Sequence, residues 1–140
     1  PVDDYGRHTD YAGKYAGLKT EESNPIILAD MKESGIEAVV LEVSSQALAT
    51  HRTRGLIFPI TVFTNLAPDH IGAGEHPDFA HYRREKARLF SEHGARVAIV
   101  DGDDEATPFM LADAVASEVL CVSCTRRDAD LFSGSLTLFF

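Results

Sequence analysis

Several things this sequence does not have narrow its function before anything it does have. No apolar run comes near the ~20 residues that cross a bilayer; Ala38 to Leu41, Leu56 to Ile60 and Val97 to Val100 are the longest, and no membrane segment is expected. Cations are few, with 13 Lys+Arg against 22 Asp+Glu and a formal net charge of -9. That balance repels the phosphate backbone that basic proteins bind through counterion release, so nucleic acid is not an expected partner. Cysteine is scarce too. Cys121 and Cys124 have a C-x-x-C spacing that suits a metal or a redox disulfide, but no second pair supplies the other two ligands of a structural zinc. Val119, Leu120 and Val122 around them suggest a strand, where positions three apart face opposite sides, so packing or surface roles are expected. Finally, no basic stretch followed by an apolar one opens the chain, and residue 1 is Pro1 rather than Met, so it reads as a segment of a cytoplasmic protein.

What remains is enough for one domain: 140 residues, 44% of them hydrophobic. The first nineteen residues, polar with scattered Gly and Tyr, read as a loop or irregular hairpin. Pro25 suits the first turn of a helix and Gly35 its end, with Ser23 and Asn24 as cap candidates. Ile36 to Val43, containing Ala38-Val39-Val40-Leu41, predicts a strand buried on both faces, and Ile60 to Leu66 predicts another that stops before Pro68. Asp78 after Pro77 can cap a helix running to Ser91. Then follow a strand (Arg96 to Val100), a helix (Asp103 to Glu118), a strand (Val119 to Ser123), a turn at Arg126-Arg127-Asp128 and a last strand from Ser135 to Phe140. Strands alternating with helices predict an α/β fold, a three-layer arrangement with a mostly parallel sheet flanked by helices. Ligands bind such sheets at the carboxyl ends of the strands, where Glu42-Ser44-Ser45, Thr64-Asn65-Asp69-His70 and Asp101-Asp103-Asp104 are expected to converge.

Three side chains in those clusters invite chemistry. Glu42, at the end of an expected buried strand, needs a cation or hydrogen-bond donors there. His70 sits in a loop, where a lone histidine is more often capped or solvated than a ligand. Lys86 falls on the inner side of its helix, one turn after Tyr82, although beside Arg83, Arg84 and Arg88 it could equally be a solvated charge.

Taken together, Glu42-Val43-Ser44-Ser45-Gln46-Ala47-Leu48, then Thr64-Asn65-Leu66-Ala67-Pro68-Asp69-His70, then Tyr82 through Phe90 closely resemble the Mur ligase family in order and spacing. The form of the first motif is similar to the branch that joins a diamino acid to a UDP-linked muramoyl dipeptide in peptidoglycan synthesis. The resemblance implies the P-loop-type central, ATP-binding domain of such a ligase. It also implies ATP and Mg²⁺ as cofactors, Glu42 and His70 as magnesium ligands, and Lys86 as a lysine whose carbamylation makes it a third, catalytic one. Ser44, Thr50 and Arg52 match positions that contact the UDP-muramoyl substrate, and Thr20 stands for the family's upstream threonines.

The departures are equally definite. The family's glycine-rich loop ends in Gly-Lys-Thr, whereas here Gly13-Lys14 is followed by Tyr15, so the phosphate-binding loop is expected to be missing, as are the amino- and carboxy-terminal domains. Gln46 replaces a common histidine, Asp101 stands where an asparagine often meets adenine, and Ile71 to Pro77 is similar to lysine-adding members. Two other readings stay open: a non-catalytic α/β module that binds ligands or partners, and a metal hydrolase built on Asp69, His70 and His76.

Overall fold

The computed structural model describes residues 20–68, 71–72 and 76–132. The expected loop at the start, the strand from Ser135, and Asp69 and His70 lie outside the described residues.

Helix α1 spans Thr20–Glu33, beginning at Thr20 rather than at Pro25. Pro25 falls inside the helix, which costs it one backbone hydrogen bond there. Its end follows Gly35. With φ +81, Gly35 donates its N–H to the Lys32 carbonyl at 3.0 Å, and Ile36 donates to Met31 at 3.0 Å, the paired bonds of a left-handed glycine cap.

The strand expected from Ile36 to Val43 is not formed. Residues 36–44 belong to no helix or strand, with Val40 fully exposed and Val39 and Leu41 at 45% and 41%. The apolar run has strand chemistry, yet a strand needs a neighbour for its backbone groups, and none of the described strands provides one. Glu42 is therefore exposed rather than at a buried strand end.

Helix α2, Ser45–Ala49, is a short one capped by Ser44, whose Oγ accepts the Ala47 N–H at 3.1 Å. Strands β1 (Phe58–Phe63), β2 (Gly94–Asp101), β3 (Glu118–Ser123) and β4 (Leu131–Phe132) form one sheet in that order, every pair parallel. Pro59 is accommodated because β1 is an edge of this sheet and its register shifts between Phe58 and Ile60. Between β1 and β2 comes helix α3, Phe79–Arg88, capped by Asp78, whose carboxylate accepts the His81 N–H at 2.6 Å. A wider π-type turn, Leu89–His93, leads from it into β2.

The helix expected from Asp103 to Glu118 is reduced to α4, Thr107–Leu111. Side chains and backbone before it satisfy each other in a turn: Asp104 accepts the Ala106 N–H at 2.7 Å and Thr107 donates its hydroxyl to the Asp101 carbonyl. After it, Val115 donates to the Phe90 carbonyl at 3.2 Å instead of continuing the helix. The core lies between one sheet face and the α3–α4 side: Phe63, Ala98 and Val100 from β1 and β2 meet Phe90 and Met110. On the other face, in register with Val97 and Ile99, Ile60 and Val62 stay 58% and 52% exposed. The expected α/β class, with a parallel sheet flanked by helices, is what the chain adopts.

Candidate functional site

Parallel strands align their carboxyl ends on one edge, and two of the expected polar clusters are there. Thr64-Asn65 follow β1, and Asp101-Asp103-Asp104 close β2. Asp104 connects them: its Oδ2 accepts the Leu66 N–H at 2.8 Å, tying the start of the loop that runs on to Pro68 to the loop after β2. Asp103 organises the end of β3, accepting the Ser123 hydroxyl at 2.6 Å, the Thr125 hydroxyl and the Cys124 N–H at 2.7 Å. Those donors, Ser123 foremost, hold its carboxyl at a pKa of about 2. The third cluster, Glu42-Ser44-Ser45, follows no strand end. It enters the site as the approach to α2.

Substrate-contact candidates gather around that helix. Ser44 caps it with an oxygen that accepts from Ala47, which leaves its hydroxyl proton to donate elsewhere. Thr50 ends it, donating its hydroxyl to the Gln46 carbonyl at 2.7 Å. His51 then adopts φ +57, a left-handed conformation uncommon without glycine, and turns the chain into Arg52, which is half-buried. Thr20 opens α1; its side chain lies outside the described residues.

α2 packs on α3, the helix that carries Lys86. The Lys86 side chain is half-buried, as expected for an inward position, and its Nζ stands 5.3 Å over the ring of buried Tyr82. Arg88 joins the two helices. It donates to Glu85 at 2.7 Å, to Glu92 at 2.7 and 2.9 Å, and to the Leu48 carbonyl of α2 at 3.2 Å, with His51 Nδ1 3.5 Å away. Glu92 and then Glu85 raise its pKa, and it lowers that of Glu92 in return.

A magnesium set of Glu42, His70 and Lys86 is represented in part. Glu42 is an exposed carboxylate and a suitable hard donor, Lys86 as an ammonium cannot coordinate a cation, and His70 lies outside the described residues. Among the described residues, no three His, Cys, Asp or Glu come together as a metal site. Cys121 and Cys124 are free thiols, half-buried in β3 and exposed just after it.

His76 and Ser45, which the sequence brought up only within a metal-hydrolase reading and a polar cluster, meet in the structure. His76 is 1% exposed, with Nε2 2.9 Å from Ser45 Oγ and Nδ1 2.9 Å from His81 Nδ1. Both ring nitrogens are engaged with protein partners, and Asp69 and His70 of the metal-hydrolase reading lie outside the described residues. A histidine in a Gly-rich loop looks solvent-facing, and only the tertiary packing of α2 against α3 buries it.

Comparison with known proteins identifies the family. Residues 10–138 match the family model of the Mur ligase middle domain. A diaminopimelate ligase of Streptomyces avermitilis, UDP-N-acetylmuramoyl-L-alanyl-D-glutamate--2,6-diaminopimelate ligase, is 39% identical over 94 residues, covering 63% of this chain and 18% of its own. The L-lysine ligase of Streptococcus pyogenes acting on the same UDP-linked acceptor is 41% identical over 103 residues, covering 72% and 21%. A solved structure of a UDP-N-acetylmuramoyl-L-alanyl-D-glutamate--2,6-diaminopimelate ligase superposes with a TM-score of 0.65 at 30% identity, over 75% of this chain and 22% of that one. The chain thus spans about a fifth of the length of these relatives. With a family model matched along nearly its whole length, the three motifs in register and a parallel sheet to carry them, the chain belongs to the Mur ligase middle domain family.

Proposed function

We propose that this chain is part of the catalytic middle domain of an ATP-dependent ligase that adds a diamino acid, lysine or diaminopimelate, to UDP-N-acetylmuramoyl-L-alanyl-D-glutamate in peptidoglycan synthesis. The observation that supports the reading is that relatives with different amino acids in their names share one acceptor, with the acceptor-contact candidates Ser44, Thr50 and Arg52 flanking the two ends of one short helix. A dependence on ATP and a UDP-linked substrate supports a cytoplasmic location.

The reaction runs in two steps. The acceptor's terminal carboxylate attacks the γ-phosphorus of ATP, releasing ADP, and the amine of the incoming amino acid then displaces phosphate from the acyl phosphate to form the amide. Arg52 suits phosphate or carboxylate oxygens because its guanidinium can donate two parallel hydrogen bonds. Ser44 has a hydroxyl proton to donate, and Thr50 lines the same segment, with Thr20 a further contact. Mg²⁺, held by Glu42, His70 and the carbamate of Lys86, would supply positive charge to the moving phosphoryl group. Lys86 reaches that form when its neutral amine adds to carbon dioxide and gives up a proton, exchanging a cation over Tyr82 for an anion. The isolated chain, without a glycine-rich loop to hold the phosphates, is expected to turn over no ATP.

The test is Lys86→Ala in the complete protein. Ligation should fall to background, and a short-chain carboxylic acid should restore part of it by standing in for the carbamate; ¹³C-labelled carbon dioxide should give a carbamate signal that the variant lacks. Near-normal ligation by Lys86→Ala would make Lys86 an ordinary charge and refute the assignment. A complete protein that binds the UDP-linked acceptor yet never consumes ATP would favour the non-catalytic module.

A further inference from the structure

His76 makes hydrogen bonds no packing role requires. Its ring is buried against Tyr82, with centroids 5.3 Å apart, and each nitrogen faces a polar partner at 2.9 Å. The chain of contacts continues outward: His81 Nε2 is 3.9 Å from Glu85 Oε1. Two Nδ1 atoms at hydrogen-bond distance cannot both carry a proton or both lack one, so the direction of this link is coupled along its length. A carboxylate beside His81 Nε2 favours the proton on that nitrogen. His81 Nδ1 is then an acceptor, His76 Nδ1–H is its donor, and His76 Nε2 is left bare to accept the Ser45 hydroxyl. Glu85 on α3 thereby biases which way a serine on α2 points.

Ser45 is 3% exposed and is the first residue of α2, directly after Ser44. A helix as short as α2 does not persist on its own, because too few backbone bonds offset the cost of nucleating it. Its place is set by ties at its two ends, Ser45 to His76 at the start and the Leu48 carbonyl to Arg88 at the finish. We infer that His76 is a positioning residue for the substrate-contact segment: through Ser45 it sets where Ser44 holds its hydroxyl, and His81 and Glu85 set its tautomer. This rests on the reading of Ser44, Thr50 and Arg52 as acceptor contacts.

The experiment uses the complete protein and steady-state kinetics with the UDP-linked muramoyl dipeptide. Removing the tie by His76→Asn, which cannot reach Ser45, or by Ser45→Ala should raise KM for that acceptor about tenfold, the scale of one buried hydrogen bond, with kcat and KM for ATP little changed. His76→Gln, whose amide can occupy the Nε2 place, should keep KM near the parent value. Because both variants break one link, the double variant should be no worse than either single one. Ring ¹⁵N spectra should show His76 Nε2 unprotonated. Equal losses on every substrate, a fall in kcat alone, additive effects in the double variant or a protonated Nε2 would overturn the inference. If Lys86→Ala abolishes ligation while His76→Asn and Ser45→Ala leave KM unmoved, this inference fails alone; if Lys86→Ala keeps ligation, the reading beneath it fails first.

Discussion

Replacing Arg88 by lysine keeps the charge and should still loosen the site. Arg88 reaches three acceptors at once because its guanidinium is a planar fork: Glu85 and Glu92 on its own side and the Leu48 carbonyl across the α2–α3 contact. A lysine ammonium is a single point donor and can keep one carboxylate. The carbonyl bond is part-buried and charge-assisted, worth about 1.5 kcal/mol, and the carboxylate given up adds about 0.5 kcal/mol because these pairs are partly exposed. The sum, about 2 kcal/mol, is roughly a 30-fold change in a local opening equilibrium. The amides of Thr50, His51 and Arg52, which bond to Gln46, Leu48 and Ala47, should exchange hydrogen that much faster in Arg88→Lys, while amides of β2 should not change. Added salt should weaken the part owed to Glu92 and leave the part owed to Leu48. Exchange at Thr50 to Arg52 within threefold of the parent, or a uniform rise across the domain, would refute the view that Arg88 anchors α2.

Gly102→Ala should destabilise by about 1–3 kcal/mol, the range for overpacking, because its new Cβ would stand 2.3 Å from Cys121 Sγ and 3.3 Å from the Val122 carbonyl; thermal melts of Gly102→Ala with and without Cys121→Ala should show the second change recovering most of the loss. Asp103 has a folded pKa of about 2 against 3.8 ordinarily, so its contribution is complete above pH ~4 and disappears as pH falls through 2; melting temperatures of parent and Asp103→Asn should converge across that interval and stay a fixed distance apart above it. Ile60 and Val62 leave an apolar face open, so the isolated chain should self-associate with rising concentration and Val62→Lys should suppress this in sedimentation velocity; a monomeric parent at high concentration would be the contrary result.

Much of the fold was legible because local chemistry and final structure agree there. Gly35 ends α1 and Asp78 starts α3 as their residue types suggest, and the apolar runs around Val62, Val97 to Val100 and Val119 to Val122 became parallel strands. Failures fall where the deciding partner is distant in sequence or competes locally. Ala38 to Leu41 reads as a buried strand because hydrophobicity records what a segment can do, whereas pairing depends on a neighbour that the segment does not encode. The helix after β2 shrank because Asp101, Asp104 and Thr107 bond to nearby backbone groups, an alternative that a pattern of apolar spacing does not register. β4, two residues long, is below any periodic signal. Among the candidate site residues, Ser44 and Lys86 stood out through their motifs, while the burial of His76 against Ser45 did not, since nothing in its spacing distinguishes a buried ring from a solvated one.

The electrostatics of the chain bring these strands of reasoning together. A net charge of -9 opposes an anion wherever it approaches, so any anionic ligand of this domain would have to rely on a local field. Between residues 52 and 88 there are six cations, Arg52, Arg54, Arg83, Arg84, Lys86 and Arg88, against four acids, Asp69, Glu75, Asp78 and Glu85; the rest of the chain has seven against eighteen. This cationic stretch includes α3 and the turn leaving α2, the helix that packs on α3. Arg88 is spent on Glu85, Glu92 and Leu48, and Arg83 stacks on the Phe109 ring at 4.0 Å, so part of the positive charge serves to build the site. Carbamylation of Lys86 would reverse one of those charges beside the others. With Arg83 and Arg88 already engaged, the resulting anion would depend on metal charge supplied in the complete site.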